Sequence, residues 1–151
     1  SNAFKVLPEV SITMDNRDCL VINAPRISDA EVLTNDVIRM ISETEFEWLG
    51  RYDNVINSGG IKLFPERIEA KLTKIVMQRF FVAGLPDEKL GQKLVLFVEG
   101  KSDIGNSLET ISGSVFLDKF EIPKDVILVS SFKETKNGKV NRMATLRSVI
   151  G

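Results

Sequence analysis

The sequence predicts an α+β fold in two parts, a β-rich first third followed by a smaller α+β domain. Three observations predict it. Up to Gly50, short apolar runs alternate with turn residues. A Gly-rich turn, Asn57-Ser58-Gly59-Gly60, joins two short apolar pairs beyond a polar break at residues 50–54. After it, apolar residues at helical spacing alternate with strand-like runs.

In the first third, residues 19–24 read as a strand ended by Pro25, and Val37 to Ile41 and Phe46 to Leu49 as two more around a turn at 42–45. Val55-Ile56 and Ile61-Lys62-Leu63 form a hairpin. A helix starts at Pro65, which suits a first helical position, with Glu66 and Glu69 near its positive end. Ile68, Leu72, Ile75 and Val76 make one apolar stripe on it. Arg79 to Ala83 is a strand, which Gly84-Leu85-Pro86-Asp87 breaks, and Leu94 to Glu99 is the next. Residues 100–106 are a loop. Ser107 caps a helix carrying Leu108, Ile111, Val115 and Phe120. Asp125 to Phe132 is a strand, Asn137-Gly138 a turn, and Met143, Leu146 and Ile150 mark a terminal helix. Ser1-Asn2-Ala3 has the composition of a scar left by tag removal, and the rest reads as a piece of something longer.

Composition narrows the chemistry. Among 151 residues, 20 Lys and Arg face 21 Asp and Glu, a net charge of -1. That excludes a general electrostatic grip on nucleic acid. Hydrophobic residues make up 43%, enough for a core, and no apolar run approaches a membrane span. The chain has no histidine, so a Ser-His-Asp triad, a Cys-His dyad and His-based zinc sites are excluded within it. Its single cysteine, Cys19, makes no internal disulfide; nothing calls for an oxidising compartment, and a cytoplasmic location is expected. The chemistry to look for is fixed charge and backbone donors set against a reacting anion.

Three segments, in order and at matching spacing, resemble the adenylate-forming superfamily of acyl-CoA synthetases, peptide-synthetase adenylation domains and luciferases. Thr34-Asn35-Asp36 stands where the family has Thr-Gly-Asp. Residues 50–63, running into Pro65-Glu66-Arg67-Ile68-Glu69, resemble the family's hinge motif. Thr135-Lys136-Asn137-Gly138-Lys139-Val140-Asn141-Arg142 looks like the C-terminal Thr-x-x-Gly-Lys-x-x-Arg motif, although Lys133-Glu134 replaces the usual preceding Pro. The Ser58-Gly59-Gly60 turn is typical of the CoA-using members.

The resemblance implies that residues 4–51 are the last strands of a large N-terminal domain and residues 52–151 the mobile C-terminal lid of the acyl-CoA synthetase-like fold. ATP and Mg²⁺ would be bound mainly by the large domain, with a carboxylic acid and CoA as the other substrates. The parent would be a ligase, and this piece alone inactive. Lys139 is the expected catalytic residue, bridging anions around the α-phosphate; as an isolated residue it would read as a solvated surface lysine. Asp36 would accept hydrogen bonds from the ribose hydroxyls, or be only a turn residue between strands. Arg51 would contact ribose or phosphate, or pair with Asp53 on the surface. Asp53 would be the hinge, or a capping residue. Ser58, Gly59 and Gly60 would let the CoA arm pass close to the backbone, which is compatible with a hairpin turn.

Phe46, Trp48, Phe80 and Phe81 read as core, and Cys19 as inert. Two other readings stay open: an adenylation domain that loads a carrier protein or another acid, and a non-catalytic module that keeps the lid fold. The partners expected are the large domain, small-molecule substrates and, for a cut sheet with open edges, an artificial second copy.

Overall fold

The computed structural model describes residues 3–100 and 107–150, so the Ser1-Asn2 part of the tag expectation and the loop expected at 101–106 lie outside the described residues. The chain divides into two compact units, Ser1–Val55 and Ile56–Gly151.

The first unit is an antiparallel five-stranded sheet. Its strands are β1 (Ala3–Lys5), β2 (Ser11–Met14), β3 (Cys19–Asn23), β4 (Val32–Met40) and β5 (Glu45–Arg51), in the order β1-β5-β4-β3-β2. Alternation sends Ile12, Leu20 and Ile38 into one buried cluster, with Phe46 and Trp48 packed against it. β4 starts five residues before the expected Val37, so the Thr34-Asn35-Asp36 segment lies within a strand rather than in a turn. Hydrogen bonding explains this: Thr34 Oγ1 donates to Leu20 O at 2.7 Å and accepts from Asp36 N at 3.2 Å. A 3₁₀ turn, Tyr52–Asn54, follows β5.

The second unit is built on β9 (Gly91–Glu99). The other strands are β6 (Ile56–Ser58), β7 (Ile61–Leu63), β8 (Phe80–Asp87) and β10 (Asp125–Val129). The sheet order is β10-β9-β6-β7, with β8 antiparallel and β10 parallel to β9. Residues Leu94 to Val98 are all buried, the mark of a strand covered on both faces. Leu94, Leu96 and Val98 pack with Ile68 and Leu72 of helix α1 (Pro65–Leu72) and Ile111 of helix α2 (Ser107–Ser112). Val95 and Phe97 point the other way, to Phe81, Phe132 and the partly buried Leu146 and Val149 of helix α3 (Arg142–Ile150). The Phe81 and Phe97 rings stack at 5.0 Å.

Several elements differ from expectation. β8 runs straight through Gly84-Leu85-Pro86-Asp87. Pro86 is tolerated because, among the described residues, its strand pairs with β9 alone, and an open edge needs no N–H there. α1 ends at Leu72, where Thr73 Oγ1 bonds Ala70 O at 2.7 Å and the backbone tightens into short turns, so Ile75 and Val76 follow the helix. α2 stops at Ser112, and Val115 and Phe120 are exposed rather than on its apolar stripe. β10 ends at Val129, yet Phe132 is buried against Phe81 at 5.1 Å. On α3 the buried residue is Thr145, while Met143 and Ile150 face out.

Candidate functional site

In the first unit, Asp36 and Arg51 are cross-strand partners on β4 and β5. Arg51 Nη1 donates to Asp36 Oδ1 at 3.0 Å. Trp48 Nε1 donates to the same oxygen at 3.2 Å. Trp48 therefore does more than fill the core. Two donors on Oδ1 orient the carboxylate, and a carboxylate offers about four lone-pair positions in all. At 30% exposure the Asp36 side chain is open to a ligand. Arg51 thus has Asp36 as a partner, a pairing that sequence reasoning, which considered Asp53, did not include. Asp53 itself lies exposed in the 3₁₀ turn at the end of this unit.

In the second unit, Gly59 and Gly60 take φ of 58° and 83°, a region closed to most side chains. A Cβ on Gly59 would come within 3.1 Å of Leu90 Cδ2, whereas Gly60 faces open space. Beside this turn is a cavity of about 400 Å³, lined by Ser58, Gly59, Leu90, Lys119, Phe120 and Lys124 among others. Two lysines and a half-exposed aromatic ring on one rim suit a phosphorylated, ring-bearing ligand. Sequence reasoning missed Lys119, Phe120 and Lys124, because Phe120 had been assigned to a helix stripe.

Lys139 closes a tight hairpin. Gly138 N donates to Thr135 O at 3.0 Å and Thr135 N to Lys139 O at 2.7 Å, with Gly138 at φ 78°. This is a three-residue loop ending in a left-handed Gly. The tip is exposed, and among the described residues Lys139 forms no ion pair. Its base is heavily braced. The buried Thr145 Oγ1 accepts from Lys133 N at 3.0 Å and donates to Asn141 O at 2.8 Å. Asn141 Oδ1 caps α3 through Ala144 N at 3.0 Å. Arg79 reaches Glu134 at 2.6 Å and Glu99 at 2.8 Å, and Glu99 also accepts from Phe132 N at 2.7 Å. The Arg79 guanidinium and the Phe132 N–H hold the Glu99 carboxyl below its ordinary range.

Arg142, the last residue of the motif, forms a two-point pair with Glu69 of α1: Nη1 meets Oε2 at 2.6 Å and Nη2 meets Oε1. Glu69 was expected at a helix N-terminus; instead it turns inward and also accepts from Val82 N at 2.9 Å. A signal was present. Glu69 lies four residues after Pro65 and three before Leu72, both on the buried face of α1, and a carboxylate there needs a partner. Among the described residues, no group of three or more His, Cys, Asp or Glu side chains could hold a metal ion. No helix of the described residues is long and apolar enough to cross a membrane.

No protein-family model matches the chain. Acetyl-coenzyme A synthetase 1 of Debaryomyces hansenii is 34% identical over 113 residues, which is 70% of this chain and 17% of that protein. A probable 2-succinylbenzoate–CoA ligase of Mycobacterium tuberculosis is 34% identical over 107 residues, 68% of this chain and 28% of that protein. Among solved structures, an acyl-CoA synthetase (AMP-forming)/AMP-acid ligase II-like protein from Dyadobacter fermentans aligns at TM-score 0.58 and 32% identity, covering 98% of this chain and 44% of that one. The chain thus spans well under two thirds of these relatives' lengths. Together they support a C-terminal part of an AMP-forming acyl-CoA synthetase-like protein. A 2-hydroxy-7-methoxy-5-methyl-1-naphthoate–CoA ligase of Streptomyces carzinostaticus is 29% identical over 123 residues, 78% of this chain and 22% of that protein.

Proposed function

We propose that the chain is the end of an AMP-forming acid–CoA ligase, with residues 4–51 the last strands of its large domain, residues 52–151 its mobile lid and Asp53 the pivot. The observation that carries this reading is Lys139: an ammonium that forms no ion pair among the described residues, on an exposed hairpin whose base is fixed at Thr145, Glu134 and Arg142. In the first half-reaction a carboxylate attacks the α-phosphate of ATP and pyrophosphate leaves. Charge gathers on phosphoryl oxygens, and a rigidly presented ammonium stabilises it. Asp36 accepts from the ribose hydroxyls, and Arg51 keeps that carboxylate in place or reaches the nucleotide directly. Mg²⁺ accompanies the nucleotide and is held by the large domain. In the second half-reaction the CoA thiol displaces AMP. Ser58, Gly59 and Gly60 give the pantetheine arm a backbone path, and Lys119 and Lys124 face the phosphates.

The acid we propose is 2-succinylbenzoate, which would place the protein in menaquinone biosynthesis, in the cytoplasm. Residues 34–37, 46–51 and 54–60 are worded most like 2-succinylbenzoate–CoA ligases, and one such probable ligase is 34% identical. The acyl pocket belongs to the large domain, so acetate is the competing substrate, given the acetyl-CoA synthetase relative. In the isolated piece, the outer strands β1 and β2 leave edges on which two copies could pair.

The test uses the whole protein with ATP, Mg²⁺, CoA and either acid, with the thioester read by mass spectrometry. A 2-succinylbenzoyl thioester that disappears in Lys139→Ala supports the full reading. An acetyl or other thioester keeps the ligase and discards the acid. No thioester with a broad acid panel shifts the reading to carrier-protein loading or a non-catalytic module.

A further inference from the structure

The turn between β2 and β3 sends Arg17 onto the strand that carries Asp36. Arg17 Nη2 donates to Thr34 O at 2.9 Å, and Nη1 donates to Asn35 Oδ1 at 2.9 Å. Asp15 holds the guanidinium from behind: its Oδ2 accepts from Nε at 3.1 Å and from Nη2 at 2.8 Å. Asp15 Oδ1 in turn accepts from Arg17 N at 2.8 Å and Cys19 N at 3.0 Å, which stiffens the turn. The Arg17 guanidinium lies over the Tyr52 ring, 4.9 Å from its centroid. From the same turn, Asp18 O accepts from Ile38 N at 3.0 Å. Asp36 is therefore flanked on both sides by bonds to one turn.

A planar guanidinium reaches two acceptors at fixed spacing, which a lysine ammonium does not. Asn35 has a side chain where the resembling sequences have glycine, and Arg17 is what binds that side chain. We infer that Arg17 is a positioning residue for nucleotide recognition: it holds Thr34 and Asn35 so that the Asp36 carboxylate is aimed at the ribose. The inference rests on the reading of Asp36 as the ribose acceptor. Arg17 acts through Thr34 and Asn35, to which its guanidinium is bonded.

The experiment measures dissociation constants of ATP and 2′,3′-dideoxy-ATP on the whole protein by titration calorimetry, for wild type, Arg17→Ala, Arg17→Lys and Asp36→Asn. Arg17→Ala weakens ATP about tenfold, a loss of the size expected for a charged hydrogen bond. It leaves the dideoxy nucleotide nearly unaffected, since that ligand has no hydroxyls for Asp36 to accept from. Arg17→Lys restores only a small part, and it carries the test if the alanine variant does not fold. Equal weakening of both nucleotides would make Arg17 a merely structural residue and overturn the inference, as would no weakening at all. If Asp36→Asn leaves ATP binding unchanged, the ribose reading fails and takes the inference with it. If Asp36→Asn weakens ATP and neither Arg17 variant does, the inference about Arg17 alone fails.

Discussion

Arg142 grips Glu69 at both carboxylate oxygens across 73 residues of sequence. Glu69 also accepts from Val82 N, so one carboxylate ties α1, β8 and the start of α3, whose Arg142 follows the Lys139 hairpin in sequence. Glu69→Ala leaves the Val82 N–H and a half-buried guanidinium unsatisfied. The expected loss is about 2–3 kcal/mol. Glu69→Gln retains an acceptor for Val82 and loses about half as much. Urea unfolding of the second unit checks both, and equal losses would mean that the Val82 bond contributes nothing.

Gly138 sits at φ 78° with nothing within 4 Å of where a Cβ would stand. Substitution there is penalised by backbone conformation alone. Gly138→Ala is expected to lower stability by about 1–2 kcal/mol, and Gly138→Asn by less, since Asn tolerates the left-handed region. Gly59 contrasts with it, because its Cβ would also press on Leu90 at 3.1 Å. Gly59→Ala should therefore cost more than Gly138→Ala in the same denaturation assay.

Under the two-pose reading, Lys139→Ala in the whole protein slows acyl-adenylate formation by about 10²–10³-fold, the scale of losing one fixed electrostatic donor. Thioester formation from supplied acyl-adenylate stays within a few-fold of wild type. The two half-reactions are followed separately, by pyrophosphate release and by CoA consumption. Matching losses in both would contradict a role confined to the adenylation pose.

The order of elements in the second unit was legible because β9 buries five successive residues and α1 announces itself with Pro65 and its stripe. The Asn-Gly pair likewise gave away the Lys139 hairpin. What stayed hidden depends on partners distant in the chain. Pro86 reads as a breaker until its strand is known to lie at an edge. β1 and β2 are three and four residues long and mostly exposed, too short for a period-2 signal. Trp48 reads as core because its indole partner, Asp36, lies on the neighbouring strand. Nothing in the sequence singles out Arg17, because its acceptors on Thr34 and Asn35 lie 17 and 18 residues away on another strand.

Cys19 is fully buried, and burial pushes its thiol above the ordinary range. The thiolate is the reactive form, so the native protein should label slowly with a thiol reagent at pH 7. As the chain's single cysteine, it reports opening around β3 without interference. Labelling should accelerate sharply through the urea transition of the first unit. Rapid labelling of the native protein would mean that β3 opens far more readily than its burial implies.

Glu99 links the hairpin brace to pH. Its carboxyl is held below the ordinary 4.5 by the Arg79 guanidinium first and the Phe132 N–H second. Near pH 4 the unfolded chain then binds more protons than the folded one, so this contribution to stability grows as pH rises. It is fully present above the ordinary carboxylate value and is lost as pH falls through the lowered folded value. Glu99→Gln removes it and weakens the bonds to Arg79 and Phe132, at a cost of about 1–2 kcal/mol at pH 7 after allowing for partial exposure. Urea midpoints measured from pH 7 to pH 3 should show a constant gap between wild type and Glu99→Gln down to about pH 5. Below that the gap narrows, because the wild-type carboxyl is itself being neutralised. A gap of the same size at pH 3 would show that the Glu99 charge does not brace the hairpin.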